Sequence, residues 1–552
     1  MPLITQEKTE ASRQTGAHWG GVPADAPTLP LAAPEFTALL QDTARPFVLV
    51  RLPDGALAAT RSLPDPGLNG DALPAVALGL PVRAAQLGDP TFRYDYGVKF
   101  AYYGGAMANG IASEELVEAL ANAGLLGIFG AAGLALDRVT QAIDRLQTTL
   151  GDLPFGCNLI HSPNEQDLEA AVVQLYLDKG VRLAEASAFL DLTPHVVRYR
   201  VHGIHEDENG AVVTPNRLIA KVSRVEVATK FLSPPPFAIL EKLVAAGHIT
   251  GRQAQLAARI PMCDDLTAEA DSGGHTDNRP AIALLPAMIA LRDRIQAEYA
   301  YAKAPRVGLA GGISTPHAAA AAFAMGAAFV VTGTVNQACV ESGSSDIVRQ
   351  MLAEAEQADT AMAPAADMFE MGVEVQVLKR GTMFSMRAAK LYELYRHHKS
   401  IEELPVAERD KLEKQYFRKS IAEEWASTKA FFAERDPKQL VRAEQDPRHK
   451  MALLFRSYLG QASIWANRGD ASRKIDYQVW CGPAMGAFNE WVRGSFLEDP
   501  KRREVATVVL NILHGAAVVQ RYTSLTSQGV PLPSVCGQYR PLDRSQLEEV
   551  VQ

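Results

Sequence analysis

Short runs of apolar and small residues alternate with helical patterns between residues 96 and about 360, and this alternation constrains the fold more than any other feature. The intervening stretches, such as SEELVEALANAG and TPHAAAAAFAMG, have the composition and start signals of helices. Strand alternating with helix predicts βα units and a parallel sheet. Eight runs favour a closed (β/α)8 barrel over an open doubly wound sheet. The runs are KFAYYGGAMA, LGIFGAAG, PFGCNLI, RLAEASAFL, RLIAKVS, LTAEADSGGH, RVGLAGGIS and FVVTGTV.

The N-terminal region, residues 1–95, is rich in proline and turn dipeptides. In PFVLVRLPDGALAATRSL, two short apolar runs flank Pro53-Asp54-Gly55, where proline presets φ and glycine accepts a positive φ. We therefore expect a hairpin here, within a small β-containing region. A chain of 552 residues is also longer than one hydrophobic core usually supports, so several domains are expected.

Two further segments depart from the barrel pattern, which we place at residues 96–360. The stretch VVRYRVHGIHEDENGAVVTPNRL predicts a hairpin insertion near 196–216. From residue 361 the chain is helical, charged and aromatic-rich, which predicts a helical cap or substrate domain over residues 361–552. The predicted fold class is α/β: a (β/α)8 TIM barrel with a small β-containing N-terminal domain and a helical C-terminal domain.

Charge and cysteine content exclude several classes of protein. The formal charge is −8, from 55 basic and 63 acidic side chains, so general nucleic-acid binding is not expected. The five cysteines have no paired spacing, which excludes a disulfide scaffold and the usual zinc clusters and suits a reducing cytoplasm. We expect no metal site.

The N-terminus is polar and lacks the apolar core of a signal peptide. The longest uncharged run of small apolar residues, 318–331, is shorter than the roughly 18–20 residues that cross a bilayer. We therefore expect a cytoplasmic protein with no membrane partner.

Four strand ends are rich in glycine and small residues, and the C-terminal ends of the strands are where a barrel builds its site. Glycine there lets backbone N–H groups approach a ligand closely. Two of these ends occur on consecutive βα units, which is the usual position of a barrel phosphate site. Gly312 and Gly333 are the candidate N–H donors, and the hydroxyl of Thr334 is a third candidate. The four strand ends are Gly104-Gly105-Ala106-Met107, Gly273-Gly274-His275, Gly311-Gly312 and Gly333-Thr334.

Four single residues carry further candidate chemistry. His275, after two glycines at a strand end, could act as an acid or a fixed donor near neutral pH; the alternative is a histidine that satisfies a loop carbonyl. Asn158 suits the edge of a heteroaromatic ring, or else caps the turn that follows. Lys221 lies in an apolar strand, so its ammonium group needs solvent at the barrel mouth, a counter-charge or an anionic ligand. Cys157 has no evident activating base, so inert packing is favoured.

The sequence lacks the P-loop, HExxH and GxSxG motifs and a Rossmann fingerprint at a first strand. The residues by themselves therefore predict a barrel that binds a phosphorylated, planar cofactor or substrate beside a histidine.

These residues, in this order, resemble the flavin-binding barrel shared by nitronate monooxygenases and FMN-type enoyl-acyl-carrier-protein reductases. Longer stretches resemble the PfaD family over roughly residues 95–540, whose members are trans-acting enoyl reductases of polyunsaturated fatty acid and polyketide synthases. The stretches are GGAMANGIASEELVEALANAGLLGIFGAAGL, PFGCNLIHSPNE, RLIAKVSRVEVATKFLSP, EADSGGHTDNRP, GLAGGIS and DYQVWCGPAMGAFNEWV.

The resemblance implies FMN as cofactor, NADPH or NADH as hydride donor, and an enoyl thioester on an acyl carrier protein as substrate. It places Gly105, Ala106 and Met107 behind the flavin ring and Asn158 and Lys221 at its polar edge. The phosphate would lie on Gly312, Gly333 and Thr334, beside Gly311. Gly273 and Gly274 would complete the pocket, and His275 would be the active-site histidine. Asp271 and Ser272 precede these glycines, unlike in simpler nitronate enzymes, which leaves the polar contacts of this loop open.

The helical region contributes a prediction about partners. Residues 379–450 contain 17 Lys and Arg against 12 Asp and Glu, which indicates either solvated helix faces or a docking face for an acidic partner. Acyl carrier protein domains are acidic, so we expect this region to help dock them. The alternatives are a nitronate monooxygenase acting on small nitroalkanes and a non-catalytic carrier-binding subunit. A homodimer is compatible with the sequence, which contains no specific signal for one.

Overall fold

The fold is described from a computed structural model of the chain, covering residues 20–31, 34–68, 72–161 and 166–550. The chain divides into two compact units. The first combines Met1–Leu87, Pro316–Ala320 and Val509–Gln552, and the second combines Gly88–Thr315 and Ala321–Val508. This division differs from the three predicted regions, because the segment from Val509 onward groups with the N-terminal region and not with the rest of the predicted helical domain.

The first unit contains a five-stranded sheet of order β1-β5-β3-β4-β2. The predicted hairpin is present: β3 and β4 pair antiparallel around the turn at Gly55, whose φ is +85°. Helix α1 covers Pro34–Gln41. The strands are β1 Gly21–Pro23, β2 Leu29–Pro30, β3 Phe47–Arg51, β4 Leu57–Thr60 and β5 Ala72–Gly79.

Packing explains why the C-terminal segment belongs to the first unit. Leu525 and Cys536 are buried in one hydrophobic cluster with Phe36 and Phe47. The buried guanidinium of Arg521 donates to the backbone carbonyls of Asp42, Arg45 and Gly79, at 2.6 Å for Arg45 and 2.9 Å for Gly79. The sequence of this segment is helical like the region before it, so its composition did not reveal the separate packing.

The second unit contains the barrel. Its strands are β6 Tyr102–Gly104, β7 Leu126–Phe129, β8 Phe155–Ile160, β9 Leu183–Ser187, β10 His205–Glu206, β11 Val212–Val213, β12 Arg217–Val222, β13 Asp265–Glu269, β14 Gly274–His275, β15 Arg306–Ala310, β16 Val330–Thr332, β17 Thr360–Pro364 and β18 Glu374–Leu378.

Eight of these strands close a parallel barrel in the order β12-β13-β15-β16-β6-β7-β8-β9. Each of the eight predicted runs overlaps one of these strands, so the predicted (β/α)8 barrel is confirmed. Aromatic and branched side chains fill the interior, among them Tyr103, Phe329 and Ile219. The interior is therefore a packed core, and a ligand can be held only above it, at the ends of the strands.

Two smaller sheets decorate the barrel. In the region of the predicted insertion, β10 and β11 pair antiparallel, while the residues before them, Pro194–Val201, form a helix that begins at the Thr193 cap. The other sheet has the order β14-β18-β17 and contains His275 in β14. This second sheet was not predicted, because β14 is only two residues long and its partner β18 lies far along the chain, with His275 paired to Val375.

The N-terminal end of the barrel is closed by helix α2, Pro90–Tyr96. Its Phe92 stacks on Phe329, with ring centroids 4.6 Å apart, and its Tyr96 hydroxyl donates to Asp265 at 2.5 Å. Arg306 bridges Asp265 and Asp95 in the same buried cluster. Aromatic packing and paired charges together seal this end.

The helices of the second unit surround the barrel and continue into a separate helical cluster after β18. Phe384, Leu391, Phe455 and Tyr458 belong to the core of that cluster. In chain order, the helices after α2 are α3 Glu114–Asn122, α4 Leu136–Leu150, α5 Gln166–Asp178, α6 Pro194–Val201, α7 Val225–Leu232, α8 Phe237–Ala245, α9 Gly251–Ala257, α10 Ala281–Tyr299, α11 Pro316–Ala324, α12 Thr334–Gln337, α13 Asp346–Ala353, α14 Phe384–His397, α15 Val406–Lys411, α16 Ile421–Arg435, α17 Pro437–Gln445, α18 Pro447–Arg468, α19 Ala484–Val492, α20 Val505–Ser527 and α21 Arg544–Val550.

Shorter helical turns complete the chain. Among the described residues these are six 3₁₀ turns, Ala84–Gln86, Phe369–Met371, Ala471–Asp476, Phe496–Glu498, Pro500–Arg502 and Ser534–Gly537, and one π-helix, Leu412–Phe417. In the described part of the chain no helix has both the length and the apolar character needed to span a membrane. Nor do three or more His, Cys, Asp or Glu side chains come together there as metal ligands would.

Candidate active site

A cavity of about 440 Å³ lies at the C-terminal ends of the barrel strands, and each of the eight strands, or the loop after it, contributes residues to its wall. This volume is in the range of small-molecule sites, about 300–1,000 Å³. The twelve residues predicted to bind the cofactor or to act in catalysis all line this cavity. They are Gly105, Ala106, Met107, Asn158, Lys221, Gly273, Gly274, His275, Gly311, Gly312, Gly333 and Thr334.

The corner formed by the loops after β15 and β16 is open and rich in backbone donors. Gly311 and Gly312 have φ of +82° and +80°, which side-chain-bearing residues rarely adopt. A Cβ built on Gly312 or Gly333 would enter open space. Among the described residues, no acceptor is found for the backbone N–H of either glycine. Backbone N–H groups without a protein acceptor, beside space that no side chain enters, suit an anionic group such as a phosphate.

The floor of the cavity is a polar layer inside the barrel. The Nδ2 group of Asn158 donates to the Ser187 hydroxyl at 2.8 Å and to the Glu185 carbonyl at 3.1 Å. The carboxylate of Glu185 is fully buried and accepts from the Tyr103 hydroxyl at 3.0 Å. Burial raises the pKa of Glu185 although Lys221 acts in the opposite direction. Asn158 is thus fixed by its own amide group, which leaves its Oδ1 as an acceptor for a ligand.

Lys221 has its counter-charge at the end of the next strand. Its Nζ lies 3.1 Å from Oε1 of Glu269, and both side chains are mostly buried. Burial alone would lower the pKa of Lys221, but the carboxylates of Glu269 and Glu185 outweigh burial and raise it. The lysine is therefore a fixed cation at the edge of the cavity.

His275 is held in a short strand and bonded to a carboxylate from a distant part of the chain. Its backbone pairs with β18, where it lies opposite Val375. Its Nε2 lies 3.2 Å from Oδ1 of Asp367, and about a third of the imidazole side chain is exposed. Burial alone would lower the pKa of His275, but Asp367 outweighs burial and raises it. The result is a histidine that is charged more readily than a free one and borders the cavity.

A segment after the helical cluster covers part of the mouth. A Cβ on Gly273 would lie only 2.8 Å from the backbone nitrogen of Cys481, so this approach requires glycine. The Gly482 N–H donates to the Thr334 hydroxyl at 3.3 Å, so part of the hydrogen-bonding capacity of Thr334 is used within the chain. Trp480 also lines the cavity.

The loop before the two glycines is fixed by polar contacts. Oδ1 of Asp271 accepts from Gln376 at 2.8 Å and from Asn278 at 2.9 Å, and the hydroxyl of Ser272 reaches Glu269 at 3.4 Å. The contacts that the sequence left open for Asp271 and Ser272 thus anchor this loop to β18 and to the end of β13.

Another part of the rim contains an ion pair that joins the same loop to the loop after β12. Asp277 accepts from Nε and Nη2 of Arg224, both at 2.8 Å, and from the Ser223 hydroxyl at 2.5 Å. Hydrogen bonding to Arg224 lowers the pKa of Asp277 to about 2. These three residues line the cavity and leave a charged, partly exposed edge for an entering ligand.

Sequence reasoning missed Glu185, Glu269, Asp367 and the Arg224–Asp277 pair. Glu269 and Glu185 lie within predicted strand runs, so a carboxylate on a strand that neighbours the one carrying Lys221 could have been predicted as its partner. Asp367 lies 92 residues after His275 and shows no local pattern that connects the two. Cys157 is fully buried, and burial raises the pKa of its thiol, in keeping with inert packing.

Comparison with known families identifies this barrel. Residues 98–423 match the model of the family described as nitronate monooxygenase. That match spans more than half of the chain.

The chain belongs to the nitronate monooxygenase family.

Two curated relatives carry names from polyunsaturated fatty acid and polyketide biosynthesis. The chain is 51% identical over 452 residues to a polyunsaturated fatty acid synthase subunit of Thraustochytrium, covering 81% of this chain and 30% of that protein. It is 46% identical over 439 residues to the polyketide biosynthesis protein PksE of Bacillus subtilis, covering 79% of this chain and 57% of that protein. The chain thus spans only part of the length of these curated relatives.

A solved structure and a second family model extend the comparison. The crystal structure of the enoyl reductase domain of MlnA, from the macrolactin biosynthesis cluster of Bacillus amyloliquefaciens, is 39% identical, with a TM-score of 0.75 over 80% of this chain and 99% of that one. Residues 398–477 match the inserted helical domain of [acyl-carrier-protein] S-malonyltransferase. The predicted resemblance to PfaD-type members of the nitronate monooxygenase family is confirmed by these matches.

Proposed function

We propose that this protein is a trans-acting enoyl reductase that uses FMN and NAD(P)H to reduce the α,β-double bond of an enoyl thioester carried by an acyl carrier protein, in polyketide or polyunsaturated fatty acid biosynthesis. The observation that carries the proposal is one cavity in which a donor-rich glycine corner, the cation of Lys221 and a carboxylate-paired histidine meet. The similarity to an enoyl reductase domain at 39% identity supports the same function.

The residues present fit a flavin mononucleotide. The phosphate would take the unpaired N–H groups of Gly312 and Gly333, where open space replaces a side chain. The Oδ1 of Asn158 and the ammonium of Lys221 would meet the polar edge of the ring, with Gly105, Ala106 and Met107 along its back. When bound, FMN supplies a hydride for the β-carbon of the substrate.

The chain's own residues then act on the substrate. His275 borders the cavity as a donor that could bind the thioester oxygen or protonate the α-carbon, where negative charge develops during reduction. Lys221 favours negative charge on a ring beside it. The segment of Trp480 and Gly482 covers part of the mouth and reduces access of water.

The carrier-bound form of the substrate is supported by the helical cluster. This cluster includes the region that matches a helical domain of an acyl-carrier-protein transferase. Helix α17 exposes Lys438 and Arg442, and Arg442 pairs with Glu370, whose neighbour Met371 lines the cavity. Cations beside the mouth would attract an acidic carrier domain.

Two other functions use the same fold. Oxidation of a small nitroalkane would require His275 to remove a proton from carbon, and an imidazole bonded to Asp367 can serve as base as well as acid, so an experiment has to separate this function from the reductase. A non-catalytic carrier-binding subunit would have no use for the unpaired donors of the glycine corner.

One anaerobic experiment separates the three functions. The purified protein, loaded with FMN, is bleached with NADPH or with NADH and then mixed with a crotonyl thioester on a carrier protein. We expect return of the oxidised flavin spectrum together with a butyryl thioester. Reoxidation by nitroalkane and oxygen alone would establish the monooxygenase, and a protein that cannot take up FMN would establish the non-catalytic subunit.

A further inference from the structure

The contact between His275 and Asp367 joins two segments that are far apart in the chain. His275 lies in β14, and Asp367 lies between β17 and the 3₁₀ turn Phe369–Met371. The three-stranded sheet β14-β18-β17 brings them together, and Oδ1 of Asp367 lies 3.2 Å from Nε2 of the imidazole. The same oxygen accepts from the backbone N–H of Met368 at 3.0 Å. The carboxylate is therefore held in place by its own turn.

The two ring nitrogens of His275 have different surroundings. Nε2 is occupied by Asp367, whereas no hydrogen-bond partner of Nδ1 is found in the part of the chain that the structure describes. Since His275 lines the cavity, Nδ1 is the nitrogen left for a ligand. A carboxylate on one ring nitrogen fixes the ring orientation and favours the doubly protonated form.

We propose that Asp367 is a positioning residue that holds the Nε2–H of His275 and keeps the ring positively charged, so that His275 delivers a proton from Nδ1 to the α-carbon of the substrate. This proposal rests on the proposed reductase function and assigns the proton donor within it. Asp367 acts through His275 and is not itself among the residues that line the cavity.

Atoms and electrons balance in this proton transfer. After a hydride has been added at the β-carbon, the α-carbon carries the electron pair of the former double bond. That pair takes the proton from Nδ1, the N–H electron pair stays on the nitrogen, and the substrate has gained one hydride and one proton. The imidazole is left neutral, with Nε2–H still donated to Asp367, and regains its proton from water.

The surrounding charges support the protonated state. The groups that act on the ring are Asp367 from its turn, Glu269 at the end of β13 and Lys221 in β12. The two carboxylates favour the charged ring, and Lys221, itself paired with Glu269, opposes it. The pKa values of both partners shift as expected for a charged pair: the pKa of His275 is raised, and the pKa of Asp367 is lowered by the histidine although partial burial of the carboxylate acts in the opposite direction.

The first test does not depend on activity. The pKa of His275 is measured by NMR on full-length protein labelled at histidine Cε1, with the resonance assigned among the 12 histidines by its loss in His275→Gln. We expect a value above the ordinary 6.5 or so in the unchanged protein, and a fall by about 1 pH unit or more in Asp367→Asn. Asp367→Glu, which keeps the charge, should restore most of the shift, and Asp293→Asn on the exposed face of α10 should not change it.

The second test follows the reduction of crotonyl thioester between pH 6 and 9. Because a raised pKa keeps the acid form present until pH passes that value, kcat of the unchanged protein should decline only at high pH. In Asp367→Asn the decline should begin at lower pH, with roughly a tenfold or larger loss at pH 8. The side chain of Asp367 is 43% exposed, so an isosteric asparagine is expected to fold.

The outcomes separate the two proposals. An identical pKa of His275 in the unchanged protein and in Asp367→Asn would overturn the positioning role, whatever the activity. A lowered pKa with an unshifted pH profile of reduction would overturn proton delivery by His275. Absence of any enoyl reduction, with the NMR shift intact, would leave the dyad standing and remove the proposed function.

Discussion

The two ends of the barrel are both built from ion pairs, yet they use them differently. At the N-terminal end, Arg306 donates to Asp265 at 2.6 and 2.8 Å, with 4% of the arginine side chain exposed and none of the aspartate. At the C-terminal end, His275, Lys221 and Arg224 also have carboxylate partners, but all three line a cavity. Charges that saturate one another in a closed core serve stability, and charges with one side open to a cavity can serve chemistry.

The backbone makes the same distinction. At the closed end, Phe92 and Tyr96 of α2 pack against the barrel core. At the open end, glycines leave room where side chains would be, and the N–H groups of Gly312 and Gly333 have no acceptor among the described residues. The end that carries the site is therefore the one whose packing and hydrogen bonding are incomplete without a ligand.

The largest effect is expected at the closed end. Arg306→Met leaves the buried carboxylate of Asp265 without its main partner, which should cost about 3–5 kcal/mol of unfolding free energy. Burial already raises the pKa of Asp265, and removal of the arginine should raise it further. A folded-state pKa above the unfolded value means that stability falls as pH rises, so the deficit should grow from about pH 4 to pH 7. Urea unfolding over that range measures it.

A loss of unfolding free energy in Arg306→Met that is small and independent of pH would contradict the assignment of a stabilising role to the closed end. Lys303→Met provides the matched control, because its partner Asp95 keeps the pairing with Arg306 and the lysine itself is half exposed.

At the open end, His275→Ala should affect catalysis and spare stability. Loss of an acid that acts in the transition state is worth roughly 10²–10⁴-fold in rate. The histidine does not belong to the glycine corner, so the variant should still bind FMN and remain yellow. Stopped-flow reoxidation by crotonyl thioester, with flavin absorbance as the binding control, checks both. Unchanged turnover would remove His275 from the mechanism.

The barrel could be predicted from the sequence because each strand is a short apolar run followed by its own helix, so the signal is local and repeated. The cavity could be predicted because glycines mark the strand ends at Gly105, Gly273, Gly312 and Gly333. The partners of the site could not, since Asp367 reaches His275 through a sheet whose strands are far apart in the chain. Nor could the division at Val509, because the helical segments of both units have similar composition.

Gly333→Ala tests whether the open corner holds the cofactor. The φ of Gly333 is −124°, within reach of ordinary residues, and the added methyl would meet open space, so the ligand-free protein should keep its stability. In the complex the methyl would stand where we place the phosphate, and FMN affinity should fall about tenfold or more, near 1.4 kcal/mol. Fluorescence titration with FMN measures the change. In the control, Gly460→Ala in α18, a Cβ also meets nothing, and affinity should be unaltered.

The smallest effect concerns the exposed charges of α17, which we place in carrier docking. Lys438 and Arg442 are 81% and 56% exposed, and their pairs with Asp167 and Glu370 are therefore worth little to stability. Replacing both with glutamate should raise KM for a carrier-bound crotonyl thioester roughly five- to tenfold, most strongly at low salt, because the acidic carrier would meet like charge. A small crotonyl thioester without a carrier should be reduced as before, which separates docking from chemistry.

Lys414→Glu is the matched control, because Lys414 is also an exposed cation, paired with Asp410, and its replacement should leave the reduction of both substrates unaffected. If KM for the carrier-bound substrate stays the same at every ionic strength, the cations of α17 belong with the solvated charges of the surface, and the docking face has to be sought elsewhere around the mouth.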